Sequence, residues 1–393
     1  MFSQFSNNGY QRFNKWSIID PTVFGYFGQS ATMSGDGQFV VISKTSPLGF
    51  FCYNGWTGAL RYTFSTPTVC NSQFTVISPD GRYVMLVDTA YASGNGRVYI
   101  FNTADGTLKT TIDAYNPENI SGVGFAGRGA FSYDGSILAI ASSSYKRKNI
   151  NFPTTGQASG AVHLYNVETG ARITSIAPPY FNYNSPENAA FGEVVSLSFD
   201  GTRLVTTAPF KDSMTFQGQA YLYDATNGTL LQTYNPPAPI AFNVYGIVQD
   251  IARDKQKIYF GDYGQTVGGT ANAGCIRVCS ATTGALLNTF NNPLIGSGVL
   301  DFGGFVQTVA DGTTLITTAR IGTTRIWLSV NAETGGNPQI LTSPEMENLS
   351  TSNYGYVAKA DLFGRRLLLT NPFLRAPYLD QGGAYVYDIS FST

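Results

Sequence analysis

The chain has 393 residues and a formal net charge of −1 from 24 basic and 25 acidic side chains; 12% of residues are charged, 14% aromatic and 43% hydrophobic. Without a basic field, general binding to nucleic-acid phosphates is excluded, and the apolar share excludes a disordered chain. No apolar run is long enough to span a membrane, and the opening MFSQFSNNGYQRFNKW lacks a signal-peptide core, so a soluble chain without membrane insertion is expected.

Residues 1–15 read as an arm, followed by a strand-like segment, WSIIDPT, from Trp16 to Thr22. A unit then recurs. It opens on an aromatic-Gly pair: Phe27-Gly28, Phe125-Ala126, Phe191-Gly192, Tyr245-Gly246, Phe302-Gly303 and Tyr354-Gly355, with Asn71-Ser72 departing in the second unit. At a fixed distance after each pair stands a turn between apolar runs: Asp36-Gly37, Asp80-Gly81, Asp134-Gly135, Asp200-Gly201, Asp254-Lys255, Asp311-Gly312 and Phe363-Gly364. Asp-Gly in that setting signals a hairpin, because the turn needs a positive φ and Gly supplies it. Each unit closes on a Gly-led strand ending in Asn54, Asn102, Asn166, Asp224, Ser280, Asn331 or Asp388, about 56 residues apart, followed by a second Gly turn.

Each unit therefore reads as four short antiparallel strands with no helical periodicity. Seven of them predict an all-β chain: one seven-bladed β-propeller domain over residues 1–393. The last unit stops after its third strand, GGAYVYDIS, while WSIIDPT resembles YTFSTPT (Tyr62 to Thr68) at the end of the first unit. The N-terminal strand is expected to complete the last blade and close the ring, which removes open sheet edges.

The fourth unit, FGEVVSLSFDGTRLVTTAPFKDSMTFQGQAYLYDATNG, resembles the FG-GAP repeat of integrin-α-like propellers. Phe191-Gly192 stands at the FG element and Thr207-Ala208-Pro209 at the Gly-Ala-Pro, with Thr370-Asn371-Pro372 in the last unit. The resemblance spans residues 16–393 through degenerate copies and implies the same seven-bladed fold. In that family an Asp-rich loop between the first two strands often carries calcium. Here the loop shrinks to SGDGQ, SPDGR, SYDGS and SFDGT, with one carboxylate each, too few oxygens for a calcium shell. No metal and no cofactor are expected.

Catalytic chemistry finds little to work with. His163 is the one histidine, at a strand position equivalent to Tyr99 and Tyr221, which limits any Ser-His-Asp or Cys-His mechanism to it. Cys275 and Cys279 lie four apart in a strand, roughly 13 Å between Cα atoms, beyond the reach of about 7 Å that a disulfide allows. With Cys52 and Cys70 they read as packing cysteines. Glu187, Glu193, Asp212 and Asp301 stand outside the repeated turns without a recognisable spacing. The expectation is a protein that is not an enzyme, with a carbohydrate-active enzyme as the weaker reading.

The connections between second and third strands, and those between blades, share one face and read as the long ones, for example 142–159, 207–217, 262–273 and 371–381. Recognition usually resides in such loops. The candidate binding residues there are Tyr145, Lys146, Arg147, Lys148, Phe152, Tyr180, Phe181, Tyr183, Phe210, Lys211, Phe216, Tyr263, Phe373, Arg375 and Tyr378. Aromatic and Arg anchors suit protein interfaces, and aromatic faces also stack on sugars. The chain is expected to be a structural or attachment component of a larger assembly such as a virus or phage particle. Its partners would be other protein subunits, with surface glycans, and hence a lectin, as the alternative. It would reside in a virion or other extracellular assembly reached without a signal peptide, or else in the cytoplasm.

Overall fold

The computed structural model describes residues 13–20, 22, 24–68, 70, 74–147, 157–179, 189–210, 218–236, 248–309, 312–322, 324–341, 358–361, 363, 365–371 and 382–388. These form seven four-stranded antiparallel blades around a central axis. The innermost strands are Ala31–Met33, Thr75–Ile77, Arg128–Phe131, Val195–Leu197, Val248–Ile251, Val306–Thr308 and Ala358–Ala360. Blade 6 carries one additional short strand, Val299–Leu300, against the end of its second strand. The only helix among the described residues is one turn, Tyr91–Gly94, and no described helix could cross a membrane.

Burial follows radius. The second strands, such as Phe39–Thr45 and Tyr83–Asp88, are buried almost end to end, which accounts for their continuous apolar runs. The outermost strands, such as Leu60–Thr63 and Leu230–Tyr234, are mostly exposed. Apolar side chains gather in clusters, each placed between one blade and the next, so every interface between neighbouring blades is filled. Cys52, Cys70, Cys275 and Cys279 are buried free thiols within this packing.

Two of the sequence signals turn out to be halves of one joint. The aromatic that opens a blade pairs its backbone with the Gly that leads the third strand of the preceding blade: Phe191 with Gly160, Phe302 with Gly274, Phe27 with Gly382. A Cβ on Gly160 would stand 2.0 Å from the carbonyl oxygen of Phe191, and its φ is +78°, so only Gly fits. The strand-end residues are structural as well. The Oδ1 of Asn54 accepts hydrogen bonds from the N–H groups of Trp56 (2.8 Å) and Thr57 (3.1 Å), and Asn166, Asp224, Ser280 and Asn331 hold their turns in the same way.

The ring closes as the sequence implies. Phe13–Ile19 runs antiparallel to Gly383–Asp388, with Trp16 opposite Val386 and Ile19 opposite Gly383. The strand starts at Phe13, so Phe13–Lys15 belong to the blade and not to an arm. Trp16 Nε1 donates to the carbonyl of Gly55 in blade 1 (2.9 Å). From blade 7 the buried Arg366 donates to the carbonyls of Gly37 (3.2 Å) and Gly55 (3.3 Å) and to Asp388 (3.2 Å).

The long-loop face is less uniform than expected. In blades 1 and 6 the second and third strands join through only two residues, between Thr45 and Leu48 and between Ile321 and Thr324. The 142–159 connection folds on itself as a small hairpin, Lys146–Arg147 against Gln157–Ala158.

Candidate functional site

The tight turns between first and second strands share a clip that the Asp-Gly signal only half reveals. In blade 1 the Ser34 hydroxyl donates to Asp36 Oδ1 (2.6 Å), the Gln38 N–H donates to the same oxygen (2.9 Å), and the Phe39 N–H returns to Ser34 Oγ (3.0 Å). Ser78 with Asp80, Ser132 with Asp134 and Ser198 with Asp200 repeat it at 2.6, 2.7 and 2.8 Å. Each carboxylate is thus engaged inside its own turn. Asp200 illustrates the electrostatics: burial pushes its carboxyl up, but bonds from Lys255, Ser198 and Thr202 outweigh it and hold the group below the usual range.

The residue between Ser and Asp in this clip faces the channel mouth: Gly35, Pro79, Tyr133, Phe199 and, in the degenerate fifth turn, Arg253. Backbone bonds tie the turns together, Gly35 N–H to Pro79 O (2.7 Å), Asp80 N–H to Tyr133 O (3.0 Å) and Tyr133 N–H to Phe199 O (3.0 Å). On three consecutive blades the side chains then stack. The Tyr133 and Phe199 rings lie 3.9 Å apart at 19°, and the Arg253 guanidinium sits 4.1 Å from the Phe199 centroid. The two rings are half-buried and Arg253 is exposed. The stack is preorganised, since its backbone is fixed by turns and its rings by one another.

Below the mouth lies a cavity of about 410 Å³ lined by the innermost strands of all seven blades. One register position per blade faces it: Thr32, Val76, Ala130, Ser196, Asp250, Gln307 and Lys359, each the last residue but one of the Cα pairing with the second strand. Asp250 clips blade 5 to blade 6. Its Oδ2 accepts from the N–H (2.7 Å) and hydroxyl (2.8 Å) of Thr308, and its Oδ1 from the N–H of Ile251 (2.9 Å). Gln307 joins blade 6 to blade 7 by exchanging two bonds with the Ala360 backbone (3.0 and 3.1 Å). The backbone of Lys359 is paired with Leu368, while its ammonium makes no hydrogen bond or ion pair with a described residue and is influenced by the charge of Asp250. Enclosure by protein raises the Asp250 carboxyl, opposed first by the Thr308 hydrogen bonds and then by the Lys359 charge, and lowers the Lys359 ammonium, opposed by the charge of Asp250.

The loop residues singled out by sequence fare differently. Tyr145 is 4% exposed, donates its hydroxyl to the Tyr115 carbonyl and packs on His163, so its ring is committed to the core and not presented to a partner. Lys146 and Arg147 are half-buried in the small hairpin, Phe210 is 38% exposed and Tyr263 is half-buried. Lys148, Phe152, Tyr180, Phe181, Tyr183, Lys211, Phe216, Phe373, Arg375 and Tyr378 lie outside the described residues. The sequence reading passed over Tyr133, Phe199 and Arg253. Their shared offset before the Asp of each turn was the signal that could have found them.

His163 is fully buried, its Nδ1 2.8 Å from the Ser175 hydroxyl and its ring against Tyr115, Phe125 and Tyr145. Burial first, then the charges of Arg147 and Arg172, lower its pKa to about 3. Glu193 pairs with Arg128 (3.8 Å) and Asp301 with Arg320 (2.5 Å), while Glu187 and Asp212 lie outside the described residues.

No family model matches the chain, and no curated protein matches it. Solved structures resemble it at low identity. A chain of the Mitotic Checkpoint Complex aligns over 98% of this chain and 98% of its own at 13% identity, with a TM-score of 0.61. The β-propeller domain of Cps50 (Swd1) from Myceliophteria thermophila aligns over 97% and 100% at 10% identity, TM-score 0.62. Hydrazine Synthase of Kuenenia stuttgartiensis aligns over 81% and 80% at 14% identity, TM-score 0.52. Such likeness carries the fold alone, a β-propeller, and it lends the FG-GAP resemblance no family support.

Proposed function

We propose that the chain is a non-enzymatic interaction module that holds a protein partner on its tight-turn face. The observation that carries this reading is the Tyr133–Phe199–Arg253 stack at the channel mouth. Tyr and Arg are the residue types that dominate binding energy, and a stack fixed before binding loses little entropy on association. The state of His163 supports the non-enzymatic part: a group that protonates near pH 3 behind three aromatic rings is no general base at neutral pH. A place in a larger assembly, such as the structural or attachment layer of a virus or phage particle, fits a chain with 12% charged residues and a rigid disc shape.

The test is affinity capture of partners from the native source, followed by measured affinities for Y133A, F199A and R253A against F210A on the opposite face. Each of the first three is expected to weaken binding at least tenfold, with F210A near wild type. Loss through F210A alone would move the interface to the long-loop face. Capture of glycans and no protein would overturn the reading, and co-sedimentation with particles would support its assembly form.

A further inference from the structure

The third and fourth strands of five consecutive blades pair with the same irregularity. Their register skips one residue, a bulge, at Arg61, Lys109, Ile173, Leu231 and Leu287 in blades 1 to 5. Bulges and charges are the usual guards of an open sheet edge. Blades 1 and 2 have both, because the extra residue is a base beside an exposed Leu60 or Leu108. Blade 3 has Arg172 beside its Ile173, drawn back over the Tyr115 ring at 3.5 Å. In blades 4 and 5 the outermost strands carry no charged residue: they read LLQTY (Leu230–Tyr234) and LLNTFN (Leu286–Asn291).

Ile173, Leu230, Leu231, Leu286 and Leu287 are between 36% and 54% exposed. They adjoin one another, because each outer strand abuts the turn that leads into the next. A Cβ on Gly228 would stand 3.2 Å from Thr174 Oγ1, and Gln232 Nε2 donates to the Thr282 carbonyl (2.7 Å). Together they expose about two whole aliphatic side chains, on the order of 400 Å², the size of the larger apolar patches on monomers. With the usual polar share around it, here the exposed Thr233, Thr283 and Asn288, the face reaches about 700 Å². A standard interface takes about 800 Å² from each partner. Strands without charge fit an equally uncharged surface, since a charge buried against them would stay unpaired. A second copy of the chain offers that surface by construction, through a two-fold contact. The bulges interrupt the edge, and the Thr289 N–H is already taken by Asn288 Oδ1 (2.8 Å), so side chains and not strand addition make the contact. We propose that the rim of blades 4 and 5 is a self-association surface on which two copies pack leucine against leucine. It lies on the outer circumference, three strand spacings or about 14 Å from the innermost strands, and does not depend on the reading of the mouth.

Sedimentation equilibrium of the full chain at about 1 to 300 μM tests it. A reversible monomer–dimer equilibrium is expected, undiminished in about 1 M NaCl, because salt does not screen an apolar contact. Leu231→Arg and Leu287→Arg give blades 4 and 5 the residue that blade 1 carries at its bulge, a side chain this position already accommodates. Each should weaken the dimer at least about tenfold, while Leu60→Arg on blade 1 leaves it unchanged. The salt measurement needs no variant, so it stands even where a variant fails to fold. A protein that stays monomeric, even if another protein is captured on these leucines, would overturn the proposal. So would dissociation by salt, undiminished pairing in both variants, or equal weakening by Leu60→Arg.

Discussion

At the scale of the residue, His163 makes this propeller acid-sensitive. In the unfolded chain its imidazole protonates near the ordinary value of 6.5, whereas in the folded chain it holds off until about 3. Between those values the unfolded state binds the extra proton, so this stabilisation is complete above pH 6.5 and declines as the pH falls. The decline approaches about 1.4 kcal/mol per pH unit within that window. His163→Phe should flatten it: denaturant titrations at pH 7 and 4.5 are expected to show a smaller loss for the variant, and equal losses would refute the assignment. Glycine at the turns gives a second residue-scale expectation. Gly201 and Gly312 share a φ near +70°, but a Cβ on Gly201 would lie 2.9 Å from the Ser132 Cβ while one on Gly312 meets nothing within 4 Å. G312A should cost about 1 kcal/mol from left-handed strain alone, and G201A at least about 2 kcal/mol. Equal costs in thermal unfolding would mean the contact is irrelevant.

At the scale of the element, most of the fold was written in phase. The Asp-Gly pairs marked hairpins because Gly37, Gly81, Gly135 and Gly201 do adopt the positive φ their turns need. The degenerate Asp254-Lys255 held because Lys255 takes the same conformation at φ 61°. Less legible was anything depending on a neighbouring blade, such as the mouth stack, since the offset that places Tyr133 beside Phe199 reads in sequence as an ordinary turn position. The candidate loop residues were chosen by side-chain type alone, and type does not separate an exposed Phe210 from a Tyr145 drawn inward by the aromatic pocket around His163. The closing strand is the element whose loss matters most. Trp16 is buried between the last and first blades and bonded to Gly55, so Trp16→Ala should cost about 3–5 kcal/mol. Its unfolding transition should also broaden, because the ring then opens before the blades melt. A sharp transition with an unchanged midpoint would show that closure lies elsewhere.

At the scale of the whole molecule, each blade is stable only through its two neighbours, because the apolar clusters lie between blades and not within them. That arrangement makes the disc one cooperative body, on which a fixed stack at the mouth and a charged ring in the channel keep their geometry without a partner's help. The claim beneath all of this is that the first strand completes the seventh blade. Native-state hydrogen exchange, resolved at individual amides, tests it most directly. The closed ring predicts that hydrogen-bonded amides of Phe13–Ile19 exchange as slowly as those of Gly383–Asp388, with the same dependence on denaturant. Exchange of the N-terminal strand at the rate of a free peptide, while the remaining blades stay protected, would contradict it.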